Sequence, residues 1–366
     1  MTYYNTVWGL GSFTKQDDVN PIMTTRDTVF FDCPIAGRVA WEATDIYNPG
    51  AITVNGQVCV FYRADDNVGE FSGTSRVGLA TSDDGLHFTR RDTPVLFPDN
   101  DDFRQIEWEG GCEDPRVVAH PGGGYVMLYT GFNGTKGRLC VATSSDMLQW
   151  TKHGLAFGDA GNGKYHDYWS KAGAIVTKRD GDTLVATQIG GKYWMYFGES
   201  NIFTATSDDL IHWTPVEIAF GDNKWFTGHE GAKYFPERSH EGMAVAPVLR
   251  PRRGRFDSFL VEPGPPAIVT DAGILLVYNG ANAGGESGDP RFPAATYALG
   301  QVLFDLSDPT AVLARCEQPF LFPEKDYETV GTTANALFAN ALAPLGDKWF
   351  LYYGTADSRI AVAVCG

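Results

Sequence analysis

The stretch "GGCEDPRVV", Gly110 to Val118, sets two adjacent carboxylates, Glu113 and Asp114, between a glycine pair and a Pro-Arg step that opens an apolar run. Like charges held this close raise one pKa, which favours a protonated donor at neutral pH. The constrained lip points to Asp114 as a general acid, with Glu113 as its orienting partner. The plainer alternative is that Asp114 caps the strand and pairs with Arg116. Two further acids, Glu199 in "YFGES" and Glu262 in "VEPGPP", could activate water or could simply belong to a hydrophilic rim. Residues this far apart in the chain need a framework that gathers them.

That framework is a repeat. A polar lip, an apolar strand, a Gly-containing turn and a second strand ending in an aromatic recur five times, beginning near Asn48, Glu113, Ser170, Val261 and Thr333. Tyr62, Tyr129, Tyr196, Tyr278 and Tyr353 end the second strands at intervals of 67, 67, 82 and 75 residues. The turns carry hairpin chemistry, as in Asn55-Gly56 and Asp180-Gly181. A second marker, "ATSDDGLHFT", "ATSSDMLQWT" and "ATSDDLIHWT", keeps step with the first three hairpins as a third strand, a turn and a fourth strand should. Four short strands per unit, five units and almost no helical periodicity predict an all-β fold, a five-bladed β-propeller, as one domain over residues 1–366. The C-terminal "RIAVAVCG" is expected to extend the last blade, residues 1–40 to close the ring or cover a face, and the insertion 213–259 to form a long loop over one mouth.

In an antiparallel hairpin the residue before the first strand and the one after the second lie at the same end. The mouth is therefore expected to receive Asn48 with Arg63, Asp114 with Asn133, Lys171 with Glu199, Glu262 with Asn279, and Asn335 with Asp357, flanked by Trp108, Tyr168 and Trp169. Carboxylates, amides and aromatic faces in one concavity suit a sugar. Acids on different blades could supply the wider separation that inverting glycoside hydrolysis requires.

Composition narrows the classes. With 366 residues, 43% hydrophobic, 42 Gly and 20 Pro, the chain reads as soluble, globular and rich in turns. A formal charge of -16 argues against a nucleic-acid partner, and no apolar run is long enough to suggest a membrane span. With no signal-peptide pattern at the start, a cytoplasmic location is expected. The six cysteines form no C-x-x-C pair and read as buried thiols. No metal or cofactor is expected. His229-Glu230 and His240-Glu241 lack the spacing that puts two ligands on one helix face, Asp99 to Asp102 read as a solvated loop, and His87 and His212 are equivalent in the repeat and read as structural.

The motifs "YNPGAI", "FYRAD", "SRVGLATSDDG", "CEDPRV", "WSKAGAI", "VEPGPPAIVTDAGILLVYNG", "DYETVG" and "YYGTAD" together resemble glycoside hydrolase family 130, the β-mannoside phosphorylases and β-mannosidases. The resemblance implies a five-bladed propeller and inverting attack on a terminal β-linked mannose, with Asp114 at the general-acid position. It places Asn48, Arg63 and Asp357 at positions that grip the non-reducing mannose; Glu113, Arg116, Lys171, Asn279 and Tyr353 complete the expected substrate-binding set. Where the phosphorylases carry basic phosphate-binding residues, this chain has Glu199 and Asn279. That departure favours water as nucleophile, with Glu199 and Glu262 as alternative bases, and an exo-acting β-mannosidase, on β-1,2-mannosides by analogy with that branch. The competing expectations are a phosphorylase in which Lys171 and the Arg250 to Arg255 run rebuild an anion site, another five-bladed glycosidase acting on furanosides or xylosides, and a sugar-binding propeller without catalysis. A mannose-containing oligosaccharide is the expected partner, and a homo-oligomer is left open.

Overall fold

The computed structural model describes residues 8–68, 73–219, 243–245 and 247–366. It is nearly all β: among these residues the only α-helical segments are single turns, Arg104–Glu107 and Asp326–Thr329. No helix among them is long and apolar enough to cross a membrane.

Five antiparallel meanders follow the repeat. The first sheet runs Asp45–Val54, Gln57–Asp65, Ser75–Ser82 and Thr89–Arg90. The second runs Gly111–Ala119, Tyr125–Phe132, Gly137–Ser144 and Thr151–Leu155. In the third, Ala174–Asp180 pairs first with Lys192–Phe197 and then with an extra hairpin strand, Thr183–Ala186; Ile202–Ser207 and Trp213–Pro215 complete it. The fourth contains Leu260–Pro263 and Ala267–Thr270, both against Gly273–Ala281, then Tyr297–Phe304 and Val312–Arg315. The fifth is Leu337–Leu345, Lys348–Thr355 and Arg359–Cys365, whose outer edge takes the N-terminal strand Thr14–Lys15. The strands Thr14–Lys15 and Arg359–Cys365 thus share the last sheet.

Local chemistry accounts for the turns. Asn55 and Gly56 have φ of 52° and 77°, the left-handed pair a two-residue hairpin requires. In the three copies of the second marker, Ser82, Ser144 and Ser207 accept backbone N–H bonds through Oγ, while Asp84, Asp146 and Asp209 each take two more. His87 and His212 close equivalent turns on Asp84 and Asp209 at 2.8 and 2.7 Å, which fits their structural reading.

Apolar residues fill the space between sheets. Ile52 and Phe61 meet Val117 and Tyr129; Val118 and Leu128 meet Met195 and Phe197; Tyr196 meets Leu276 and Tyr278; Ile268 and Leu299 meet Leu337 and Tyr353. A fifth cluster joins Ala341 and Tyr352 of the last sheet to Val60 and Tyr62 of the first.

Four of the five strand-ending tyrosines do more than pack. Tyr62, Tyr129, Tyr278 and Tyr353 donate their hydroxyls to the buried carboxylates of Glu42, Glu107, Asp257 and Glu328. Each acid also holds a cation: Arg26 and Arg90, Lys152, Arg252 and Arg315, and Lys15 respectively. The acids lie 20 to 25 residues upstream of their tyrosines, in the segments that lead into each sheet. Tyr196 differs and donates to the Pro309 carbonyl.

The insertion begins later than expected. Trp213–Pro215 belongs to the third sheet, Glu217–Ala219 pairs with Met243–Val245 as a two-stranded ribbon, and Pro247–Leu249 returns to Ile202 and Phe203. The two His-Glu dipeptides lie outside the described residues. All six cysteines are free and five are buried. Within the arginine run, Arg252 is paired to Asp257 and Arg255 to Glu317.

Candidate active site

Three of the five lips are X-Pro steps, Asn48-Pro49, Asp114-Pro115 and Glu262-Pro263. Proline has no N–H for a ladder, so it belongs at a strand end or bulge. The first two steps are bulges: pairing slips between Tyr47 and Gly50 and between Glu113 and Arg116. Asn48 and Asp114 consequently take left-handed φ of 44° and 51°, and a bulge of this kind re-aims its side chain. The sheets approach closely here. A Cβ on Gly50 would stand 2.4 Å from the Pro115 carbonyl oxygen, and one on Gly354 would stand 2.9 Å from the Asn48 nitrogen.

The result is a pocket of about 260 Å³ lined by carboxylates from four sheets, Asp114, Glu199, Glu262 and Asp357, with the cations Arg63 and Lys171 and the Asn48 amide. Arg63 reaches Glu113 at 3.1 Å and Asp114 at 3.3 Å, while its guanidinium lies 4.5 Å from the centre of the Tyr47 ring. Asp114 Oδ1 also accepts the Asn48 amide at 2.9 Å. Glu199 accepts the Trp169 indole N–H at 3.0 Å. The Lys171 ammonium makes no hydrogen bond or ion pair with a described residue, and the buried acceptors Asn48 Oδ1 and Glu262 Oε1 have no partner. These are the atoms left for a polyhydroxylated ligand.

The protonation pattern corrects the expectation for the acidic pair. Burial raises the Asp114 carboxyl, but Arg63, Lys171 and the Asn48 N–H outweigh it and hold the group below its ordinary range. Burial pushes Glu113 up to about 7 against the pull of Arg63, with Asp114 adding to the rise. One proton does stay with the pair toward neutral pH, and in the free pocket Glu113 carries it. Glu262 is pushed up to about 8 by burial, which Lys171 only partly offsets. Burial also raises Asp357, against a hydrogen bond from Thr333.

Asn48, Arg63, Asp114, Lys171, Glu199, Glu262 and Asp357 therefore meet in one place, with Glu113 directly behind Arg63. Besides Glu113, three residues expected to touch substrate do not line the pocket. Arg116 lies beneath it, bonded to the backbone carbonyls of Pro263, Gly264 and Asp114 rather than to the Asp114 carboxylate. Asn279 clamps Ala339, accepting its N–H at 2.8 Å and donating to its carbonyl at 3.2 Å. Tyr353 is fully buried and bonded to Glu328. Of the other expected mouth residues, Asn133 closes its own turn on Thr135 and Lys136, and Asn335 is absent from the lining. Tyr168 packs in the core, and Trp108 lines a separate groove with Asp101, Asp102, Arg104 and Gln105. The acidic loop is partly paired, Asp101 lying 3.1 Å from Lys152.

The pocket also contains Tyr47, Tyr297, Thr333, Ala336 and Phe338. Tyr47 and Thr333 sit beside lip residues, a signal within reach. Tyr297 begins a third strand and arrives through a parallel bridge to Ala336, a contact no hairpin pattern announces.

A family model described as beta-1,4-mannooligosaccharide phosphorylase, of glycoside hydrolase family 130, matches residues 13–230 and 235–366. The chain is 31% identical to the 1,2-beta-oligomannan phosphorylase of Thermoanaerobacter sp. (strain X514), covering 88% of this chain and 90% of that protein. A solved glycosyl hydrolase from Bacteroides ovatus superposes with a TM-score of 0.89 at 42% identity, over 99% of this chain and 95% of the other. Another, described with the words "The GH130 family of mannoside phosphorylases contains glycoside hydrolases that target beta-1,2 mannosidic linkages in Candida mannan", superposes with a TM-score of 0.90 at 41% identity, over 100% and 96%. With a family model spanning nearly its whole length, the chain belongs to glycoside hydrolase family 130.

Proposed function

We propose that the protein is an inverting, exo-acting β-mannosidase that uses water as nucleophile on terminal β-1,2-linked mannose. The observation that carries this reading is the pocket's charge: four carboxylates and two cations line it, and Arg63 is already engaged by Glu113 and Asp114. A phosphate dianion beside a carboxylate about 4 Å away meets a repulsion on the order of 4 kcal/mol per charge pair at an effective dielectric of about 20. Two arginines of the run that could have supplied compensation, Arg252 and Arg255, are paired elsewhere.

In this mechanism the oxygen of water attacks the anomeric carbon and its proton passes to a carboxylate. The bond to the leaving oxygen breaks with its electron pair, and that oxygen takes a proton from Asp114. Glu113 and Asp114 share the Arg63 guanidinium, so moving the Glu113 proton to Asp114 leaves the net charge of the site unchanged. Glu199 serves as the base, because its indole bond fixes the carboxylate while Glu262 retains a proton near neutral pH. Asn48, Arg63 and Asp357 hold the terminal sugar.

A five-bladed β-propeller is the architecture we assign to the five sheets. It is supported by the five apolar clusters, which join each sheet to the next and the last to the first.

A second reading, a β-mannoside phosphorylase, is favoured by the relative named as a 1,2-beta-oligomannan phosphorylase and by Lys171, whose ammonium has no bonded partner among the described residues. One experiment separates the two. β-1,2-Mannobiose is incubated with and without phosphate, and the products are identified. Mannose release at equal rates in both media is expected; a strict phosphate requirement with mannose 1-phosphate as product would eliminate the hydrolase.

A further inference from the structure

Arg116 is 3% exposed, and no carboxylate oxygen of a described residue lies within 4.0 Å of its guanidinium. It is instead surrounded by neutral acceptors from three sheets. Nε donates to the Gly264 carbonyl at 2.8 Å, Nη2 to the Pro263 carbonyl at 2.7 Å and to Asn340 Oδ1 at 2.8 Å, and Nη1 to the Asp114 carbonyl at 3.2 Å. One of these acceptors is the backbone of a site residue, and two more are in the backbone that directly follows another. The Asp114 carbonyl lies within the bulge whose left-handed φ of 51° strains a non-glycine residue, and Pro263 and Gly264 directly follow Glu262.

The seat for this cation is built at a cost. Asn340 is the unpaired residue of a bulge between Ala339 and Ala341, fully buried, and it turns its oxygen to Arg116 while its own Nδ2 finds no partner. A buried amide nitrogen without an acceptor is destabilising, so the arrangement keeps the guanidinium bond at the expense of another. Four bonds from one rigid planar fork fix the relative placement of the chains they touch better than separate contacts would.

We infer that Arg116 is a positioning residue that locks the backbone of Asp114 and the Pro263-Gly264 backbone following Glu262, which come from different sheets, into one catalytic geometry and supplies the positive charge beneath both carboxyls. It touches no substrate. The inference rests on the mannosidase reading for its kinetic test and on the geometry alone for its titration test.

The experiment compares Arg116→Lys and Arg116→Met with the wild type on β-1,2-mannobiose from pH 5 to 9, alongside thermal unfolding. Lysine keeps the charge and loses the fork, so kcat is expected to fall about 100-fold, with KM changed less than about threefold and the alkaline limb unmoved. Methionine loses both, so the same fall is accompanied by an alkaline limb about one pH unit higher, because removing a cation raises the pKa of the acid Asp114. Asn340→Leu removes only one of the four bonds and is expected to lower kcat about tenfold; it decides the matter should both Arg116 variants fail to fold. Wild-type kcat and limb in the folded variants, with only a lower unfolding midpoint, would overturn the assignment. Carboxyl titration by carbon NMR on the free enzyme gives a readout independent of turnover: Glu262 is expected to titrate higher in Arg116→Met, and an unmoved titration also overturns the inference. Absence of mannose release by the wild type is instead the failure of the mannosidase reading.

Discussion

Asp114 and Glu262 show how the same burial yields opposite states when the neighbours differ. Asp114 has Arg63 and the Asn48 N–H on one oxygen and is held ionised; Glu262 has an unpartnered Oε1 and keeps a proton to about pH 8. Asp114→Asn removes the carboxyl that passes the proton to the leaving oxygen and is expected to lower kcat by about 10²- to 10⁴-fold while mannobiose still binds, as calorimetry would register. Glu262 carries a stability consequence. Its folded pKa lies above its unfolded value near 4.5, so the folded state resists its ionisation, and the stability present below about pH 4.5 is lost as pH rises toward 8. Glu262→Gln should therefore unfold at higher denaturant than the wild type at pH 8.5, by a few kcal/mol, and at the same denaturant at pH 4. The lip residues were legible because strand ends are; Arg116 was not, because two residues farther along a strand lie roughly 6 to 7 Å deeper, below the pocket rather than in it.

At the scale of the element, the tyrosine, carboxylate and cation groups fasten the segment entering a sheet to that sheet's own inner and outer strands. The tyrosines were visible as a period. Their acids were not, since a carboxylate 20 to 25 residues upstream looks like any loop acid until the chain turns back. The second sheet offers the cleanest test. Lys152→Met leaves Glu107 buried with only the Tyr129 hydroxyl, and removing one partner of a buried pair costs about 3 to 5 kcal/mol. Tyr129→Phe should cost about 1 to 3 kcal/mol. Both are expected to leave kcat of the folded enzyme within about twofold of wild type, since neither side chain reaches the pocket. Urea unfolding together with activity below the transition checks both statements.

Over the whole molecule, the N-terminal segment completes the edge of the last sheet and joins it to distant residues. Asn20 both donates to and accepts from the backbone of Val362, and Lys15 neutralises the buried Glu328, which in turn holds Tyr353. Deleting residues 1–24 exposes the strand Arg359–Cys365 and strips Glu328 of its lysine. The expected outcome is a loss of at least about 3 kcal/mol in urea unfolding and faster amide exchange in that strand. Unchanged exchange there would refute the edge-strand role.

What the sequence determined by itself is whatever local periodicity and turn chemistry can specify: alternating apolar strands, the Asn-Gly and Asp-rich turns, the recurring tyrosines, and the polar residues at hairpin ends. These are short-range physical demands, and each leaves its mark within about thirty residues of chain. Only the tertiary structure decided which acid of the Glu113 and Asp114 pair keeps the proton, that Arg116 serves beneath the pocket, that Tyr297 and Phe338 line it, and which buried carboxylate meets which cation. Those outcomes depend on burial and on charges contributed by other sheets, and Coulomb and desolvation energies are set by distance through space, for which position along the chain supplies no measure.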